Sequence, residues 1–85
     1  MAGTLHTQQY RRLVQELVAT RLNSGLSQAN LAQCLDRPPS FVAKVELCER
    51  RLDAIEFLVW LRAVSSEPEL FINALLRELP EKIPR

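Results

Sequence analysis

Two adjacent prolines, Pro38 and Pro39, constrain this 85-residue chain more than any other feature. Each lacks a backbone N–H, and each pushes the residue before it out of helical conformation. No helix therefore continues through Asp36-Arg37-Pro38-Pro39-Ser40. Proline is nevertheless well suited to a first helical turn, whose N–H groups are unpaired anyway. The dipeptide thus ends one helix and begins the next, and it forces two short helices into close succession.

The flanks fit that reading. Before the prolines, Gln28 to Leu35 reads as a short helix with Ser27 as its N-cap and with Leu31 and Leu35 pointing inward. After them, a helix runs from Pro38 or Pro39 to Leu47, with Phe41, Val42 and Val45 as its buried stripe. Upstream, Tyr10, Leu13, Val14, Leu17, Val18 and Leu22 recur at helical spacing and predict a helix over Thr7 to Asn23, closed by a left-handed Gly25. Downstream, Glu46 to Leu52 is a charged loop, and Asp53 caps a fourth helix over Ala54 to Val64. Ser66 with Glu69 reads as a capping box for a fifth helix, with Pro68 in its first turn and Pro80 as its stop. The tail from Glu81 to Arg85 is expected to fray. The expectation is one all-α domain of five helices over residues 1–85, with a core over about 7–79.

Composition narrows the class. At 47% hydrophobic and 25% charged the chain is ordinary globular material, and two glycines are too few for a sheet-rich, turn-rich fold. It is too short for a second domain. No apolar run of membrane-spanning length occurs, and MAGTLHTQQYRRLV lacks the apolar core of a signal peptide, so a cytoplasmic, nucleoid-associated protein is expected. Cys34, Cys48 and His6 have neither the number nor the spacing of a metal or catalytic set. With no paired acid–base cluster and no glycine-rich phosphate loop, the reading is a non-enzyme without cofactor or metal. Net charge is +1, but residues 1–51 carry +3 and residues 52–85 carry −2, which suits a face for an anionic partner on the front half.

The segment "LSQANLAQCL", the segment "SFVAKVE" and the run "ERRLDAIEFL" together resemble the helix-turn-helix of the phage repressor and Cro (XRE-like) family, over about residues 10 to 64. The resemblance implies a lambda-repressor-like fold and double-stranded DNA as partner. The second helix of the motif would lie in the major groove, placing Arg37, Pro38, Pro39, Ser40 and Lys44 at base edges. Ser27 and Gln28 at the start of the preceding helix would grip phosphate, helped by its free N–H groups. Arg50 and Arg51 would lie beside the DNA backbone. Arg21 and Glu46 would form a partly buried structural ion pair.

Three positions depart from the family pattern. Asp36 replaces a common glycine in the turn, and tolerates the left-handed region better than most residues. Cys48 replaces another glycine and has a Cβ that resists positive φ, so its loop is expected to differ in shape. Pro39 stands where a polar base reader is common and offers only apolar contact, for example to a thymine methyl.

The last two helices hold more apolar residues than so small a domain needs. Ile55, Leu58, Val59 and Leu61 are expected to serve the core. Phe57, Trp60, Val64, Phe71 and Leu75 are expected to leave surface for a homodimer, with the fifth helix as a dimerisation element. The sequence thus reads as a dimeric transcription regulator, similar to small mobile-element repressors and to restriction–modification controller proteins. A repressor or autoregulator on a pseudo-palindromic operator is the expected form. A protein antirepressor or a toxin would be a further partner. The alternative is an antitoxin or a helical interaction module of the same fold with little or no DNA binding.

Overall fold

The computed structural model describes residues 7–84, so His6 and Arg85 lie outside the described residues. Five helices follow in order: α1 Gln8–Asn23, α2 Gln28–Leu35, α3 Pro39–Glu46, α4 Ala54–Val64 and α5 Pro68–Glu78. No strand occurs among the described residues. Thr7, Ser27 and Asp53 cap α1, α2 and α4, each side-chain oxygen accepting from the backbone N–H three residues on. In α2 and α4 the third helical residue, Asn30 or Glu56, reaches back to the cap N–H and completes a capping box.

α5 starts differently. Pro68 takes its first position, Glu67 precedes it without a side-chain cap, and the Ser66–Glu69 capping box does not form. Proline sets this register: it fits the first turn and excludes Glu67 from the helix. Ser66 then lies one residue too early to reach the free N–H groups. Ser65 Oγ instead accepts from Glu67 N–H at 3.1 Å.

Helices α1, α2 and α3 end in the same way. At each end the chain turns through one left-handed residue: Gly25 (φ 81°), Asp36 (φ 56°) and Cys48 (φ 62°). The left-handed residue donates to a carbonyl three back: Gly25 to Leu22, Asp36 to Gln33 and Cys48 to Val45. The next residue donates to a carbonyl five back: Leu26 to Arg21, Arg37 to Ala32 and Glu49 to Lys44. These are Schellman turns, which satisfy the orphan carbonyls of a helix end. The expectation that Cys48 would change the shape of its loop is therefore corrected. Its side chain costs about 1–2 kcal/mol in the left-handed region, yet the two backbone bonds hold the turn in the form seen at Gly25.

The core joins α1 through α4. Leu17, Leu31, Ala32, Val42, Val45, Trp60, Leu61 and Val64 form one buried cluster. α1 and α2 each pack on both α3 and α4. α5 has no fully buried residue; Phe71 and Ile72 lean on the cluster, Phe71 stands 6.4 Å from the Phe57 ring, and Arg12 pairs with Glu78 at 3.0 Å. Residues 81–84 of the tail are exposed.

Leu61 is buried in the core as expected, but the rest of α4 divides differently from the expectation. Trp60 and Val64, expected to offer dimer surface, are buried, and the Trp60 indole N–H finds no acceptor among the described residues. Ile55, Leu58 and Val59, expected in the core, are 69%, 47% and 38% exposed. At about 100° per residue, Phe57, Trp60, Leu61 and Val64 share one face and Ile55, Leu58, Val59 and Arg62 share the opposite one. Only one face can meet α1 and α2, and the face holding Arg62 is the costlier to desolvate. Phe57, Phe71 and Leu75 are half-buried. Leu22, also on the expected apolar stripe of α1, is exposed at the helix end.

One polar node lies inside this apolar frame. Arg21 and Glu46 meet with side chains only 9% and 8% exposed. Arg21 Nε donates to Glu46 Oε2 at 2.7 Å and Nη2 to Oε1 at 3.0 Å, while Nη1 donates to the Leu26 carbonyl at 2.8 Å. Removing one member strands the other charge out of water. Glu46→Ala should lower the unfolding free energy by about 3–5 kcal/mol, measured by chemical denaturation, whereas the paired apolar replacement Arg21→Met with Glu46→Leu should recover most of that loss.

Candidate nucleic-acid interface

α3 is short, and its two faces are distinct. Val42 and Val45 are buried. Pro39, Ser40, Lys44 and Leu47 are exposed, and at 100° per residue they fall within an arc of about 140°. The helix begins without a side-chain cap, so Ser40 does not cap it. Arg37, just before the prolines, is exposed and donates through Nη1 to the Asp36 carbonyl at 2.9 Å. The Schellman turn at Asp36 aims this segment, because its two backbone bonds fix where α3 leaves α2.

The residues expected at phosphate are placed more unevenly. Gln28 opens α2, where the first N–H groups have no partner within the helix. Its side-chain Nε2 donates to Glu46 Oε1 at 2.8 Å, so the same carboxylate holds α1, the start of α2 and the end of α3. One N–H of that amide is thereby committed and one remains. The Ser27 hydroxyl is used twice in the α2 cap, accepting from Asn30 N–H at 3.0 Å and donating to Asn30 Oδ1 at 2.8 Å. Its backbone N–H also donates to Asn30 Oδ1, at 3.4 Å, so Ser27 is taken up in capping α2.

Arg50 and Arg51 are exposed neighbours with different duties. Arg50 makes a two-pronged pair with Glu56, 2.9 Å on each arm, and its guanidinium carbon stands 4.7 Å over the Phe41 ring. It braces the α3–α4 loop against both helices. Arg51 has its guanidinium carbon 5.1 Å over the Tyr10 ring, and the Tyr10 hydroxyl in turn accepts from Leu52 N–H at 3.0 Å. Stacking on an aromatic ring leaves the guanidinium edge open for an anion.

The Gln28–Glu46 bond and the Arg50–Glu56 brace were not anticipated from sequence. Asp53 followed three residues later by Glu56 is a capping-box signature that marks Glu56 as occupied. No comparable local signal links residues 18 apart. Among the described residues, no cluster of His, Cys, Asp or Glu could hold a metal ion. No described helix is long and apolar enough to cross a membrane.

With this geometry in place, comparison with known proteins settles the family. A solved structure titled "XRE-family like protein from Pseudomonas syringae pv. tomato str. DC3000" superposes with a TM-score of 0.80. The two chains are 38% identical, over 93% of this chain and 96% of that one. The chain belongs to the XRE family. No family model matches it, and no curated protein does. Its five helices are the helix-turn-helix fold of that family, with α2 and α3 as the motif.

The Arg50–Glu56 brace titrates. The Glu56 carboxyl is held below its usual range, first by the Arg50 guanidinium and then by the Asp53 backbone N–H. A carboxylate lowered by folding adds stability that is present above its unfolded pKa and fades as pH falls through the folded value. Glu56→Gln should therefore be less stable than the parent near pH 7, and the difference should shrink as pH falls through and below the ordinary carboxylate range, as read by urea unfolding across an acid series.

Proposed function

We propose that this protein is a sequence-specific double-stranded DNA-binding transcription regulator, acting as a homodimer on a pseudo-palindromic operator. The observation that carries the reading is the outward face of α3: Pro39, Ser40 and Lys44 lie together, exposed, on a helix locked to the rest of the domain. A helix of this kind fits the major groove, with its first turns at the base edges. Lys44 donates to guanine O6 and N7, Ser40 serves either base type, and Arg37 reaches a base edge or a phosphate beside them. Pro38 and Pro39 supply apolar contact, which favours a thymine methyl at their place in the site.

Around that face, the α2 N-terminus and Arg51 suit phosphate oxygens. The free N–H groups of Gln28 and Ala29, the remaining Gln28 amide proton and the positive end of the helix all favour an anion. Ser27, whose hydroxyl and N–H are both held by Asn30, sets the direction of that end of the helix. Arg50 shares its charge with Glu56 and contributes less. These contacts give affinity and salt dependence; the α3 face gives preference among sequences.

The domain extends 35 Å and 32 Å along its two longer axes. A two-fold pair of domains of this size can span two successive major grooves, the half-site arrangement of dimeric helix-turn-helix proteins. Repression and autoregulation are the simplest outcomes for a domain of this size, since an operator overlapping a promoter suffices.

Selection of bound duplexes from a random pool tests the reading directly. A two-fold-related motif with half-sites about 34 Å apart is the expected result. No enriched motif with folded protein would overturn it in favour of an antitoxin or helical interaction module. Two substitutions refine the assignment. Lys44→Ala should keep the fold and relax preference at one base pair of each half-site, costing about 1–3 kcal/mol in specific binding. Arg51→Ala should weaken binding to all sequences alike and reduce the salt slope by about one unit.

A further inference from the structure

Tyr10 lies in the first turn of α1 and meets the α3–α4 loop twice. Its backbone N–H donates to the Thr7 hydroxyl oxygen at 3.0 Å, so the α1 cap fixes where the residue starts. Its hydroxyl accepts from Leu52 N–H at 3.0 Å. The other edge of that peptide unit is the Arg51 carbonyl, which accepts from Arg50 Nη1 at 2.6 Å. One peptide plane is therefore held from both edges. The Arg51 guanidinium carbon then stands 5.1 Å over the Tyr10 ring. Tyr10 thus holds the backbone from which the Arg51 side chain springs and also the head group at its far end.

Neighbouring Arg50 shows the difference. It too lies over a ring, but both arms of its fork are taken by Glu56. Among the described residues no carboxylate pairs with Arg51. A ring holds a guanidinium by its face and leaves the N–H edge outward, whereas a carboxylate takes the edge itself. Arg51 is exposed, and the Tyr10 beneath it is half-buried.

We infer that Tyr10 is a positioning residue for DNA binding: its ring holds Arg51 in the pose that meets a phosphate. The inference rests on the DNA-binding reading above and adds α1 to the elements that reading uses. A solvated arginine gives up its rotamers when it meets a phosphate, and one already stacked has given up most of them beforehand. The same helix carries Arg21, which bonds Glu46 at the end of α3 and lies about three turns, or about 16 Å, further along. One rigid α1 thus fixes both the base-reading helix and the phosphate-facing loop that follows it.

The test is binding of the full chain to a fluorescent duplex of mixed sequence, read by anisotropy over a salt series. This reports phosphate contact without knowledge of the operator. Tyr10→Leu removes the ring; it should keep its helical circular dichroism and weaken binding about two- to tenfold. Tyr10→Met carries the same test where Tyr10→Leu does not fold. Tyr10→Phe keeps the ring and loses the bond to Leu52; it should lower the unfolding midpoint yet bind within about twofold of the parent. A purely structural role would make binding follow stability instead. In an Arg51→Ala background, Tyr10→Leu should change binding by less than about twofold, because the two residues act as one unit. Equal weakening by Tyr10→Leu with and without Arg51 would overturn the inference. So would parental binding by Tyr10→Leu, or the same loss in Tyr10→Phe. Parental binding by Arg51→Ala removes this inference and leaves the α3 reading standing, whereas a parent that binds no duplex even at low salt removes both.

Discussion

The carboxylate of Glu46 is the joint on which the domain depends. It sits on the last residue of α3 and accepts two bonds from Arg21 of α1 and one from Gln28 at the start of α2. Three helices therefore share one buried anion. An ion pair out of water is poor evidence of net stability, because its desolvation offsets much of the attraction. Its value here is directional. Apolar packing by Val42 and Val45 keeps α3 against the core but tolerates sliding and rotation. A two-pronged guanidinium–carboxylate contact tolerates neither. The axial position and rotation of α3 decide which side chains face outward, so the pair sets the register of Ser40 and Lys44 without touching any ligand.

Short loops complete that control. α1, α2 and α3 each end in a Schellman turn, so the chain direction at three helix ends is set by backbone hydrogen bonds. Only Gly25 meets the left-handed requirement without a side chain; Asp36 and Cys48 meet it at a cost. The cost is tolerated because both turns are also held from the far side. Asp36 leads into the prolines, which restrict the chain that follows. Cys48 lies between the Glu46 node and the Arg50–Glu56 brace.

Most of this architecture is legible in the sequence because local chemistry announces it. Ser27, Asp53, Gly25 and the two prolines mark helix ends with a specific physical reason in each case. The errors have physical causes too. Ser66 and Glu69 have the spacing of a capping box, but Pro68 sets the helix start and puts Ser66 out of reach. Cys48 argues against a left-handed turn by propensity, and tertiary bonds prevail. On α4 nearly every residue is apolar, so hydrophobicity alone does not distinguish the faces. The distinguishing mark is Arg62, a single charge that fixes the outward side and carries Ile55, Leu58 and Val59 with it. The Gln28 bond to Glu46 has no local trace, since it exists only once α2 and α3 are packed.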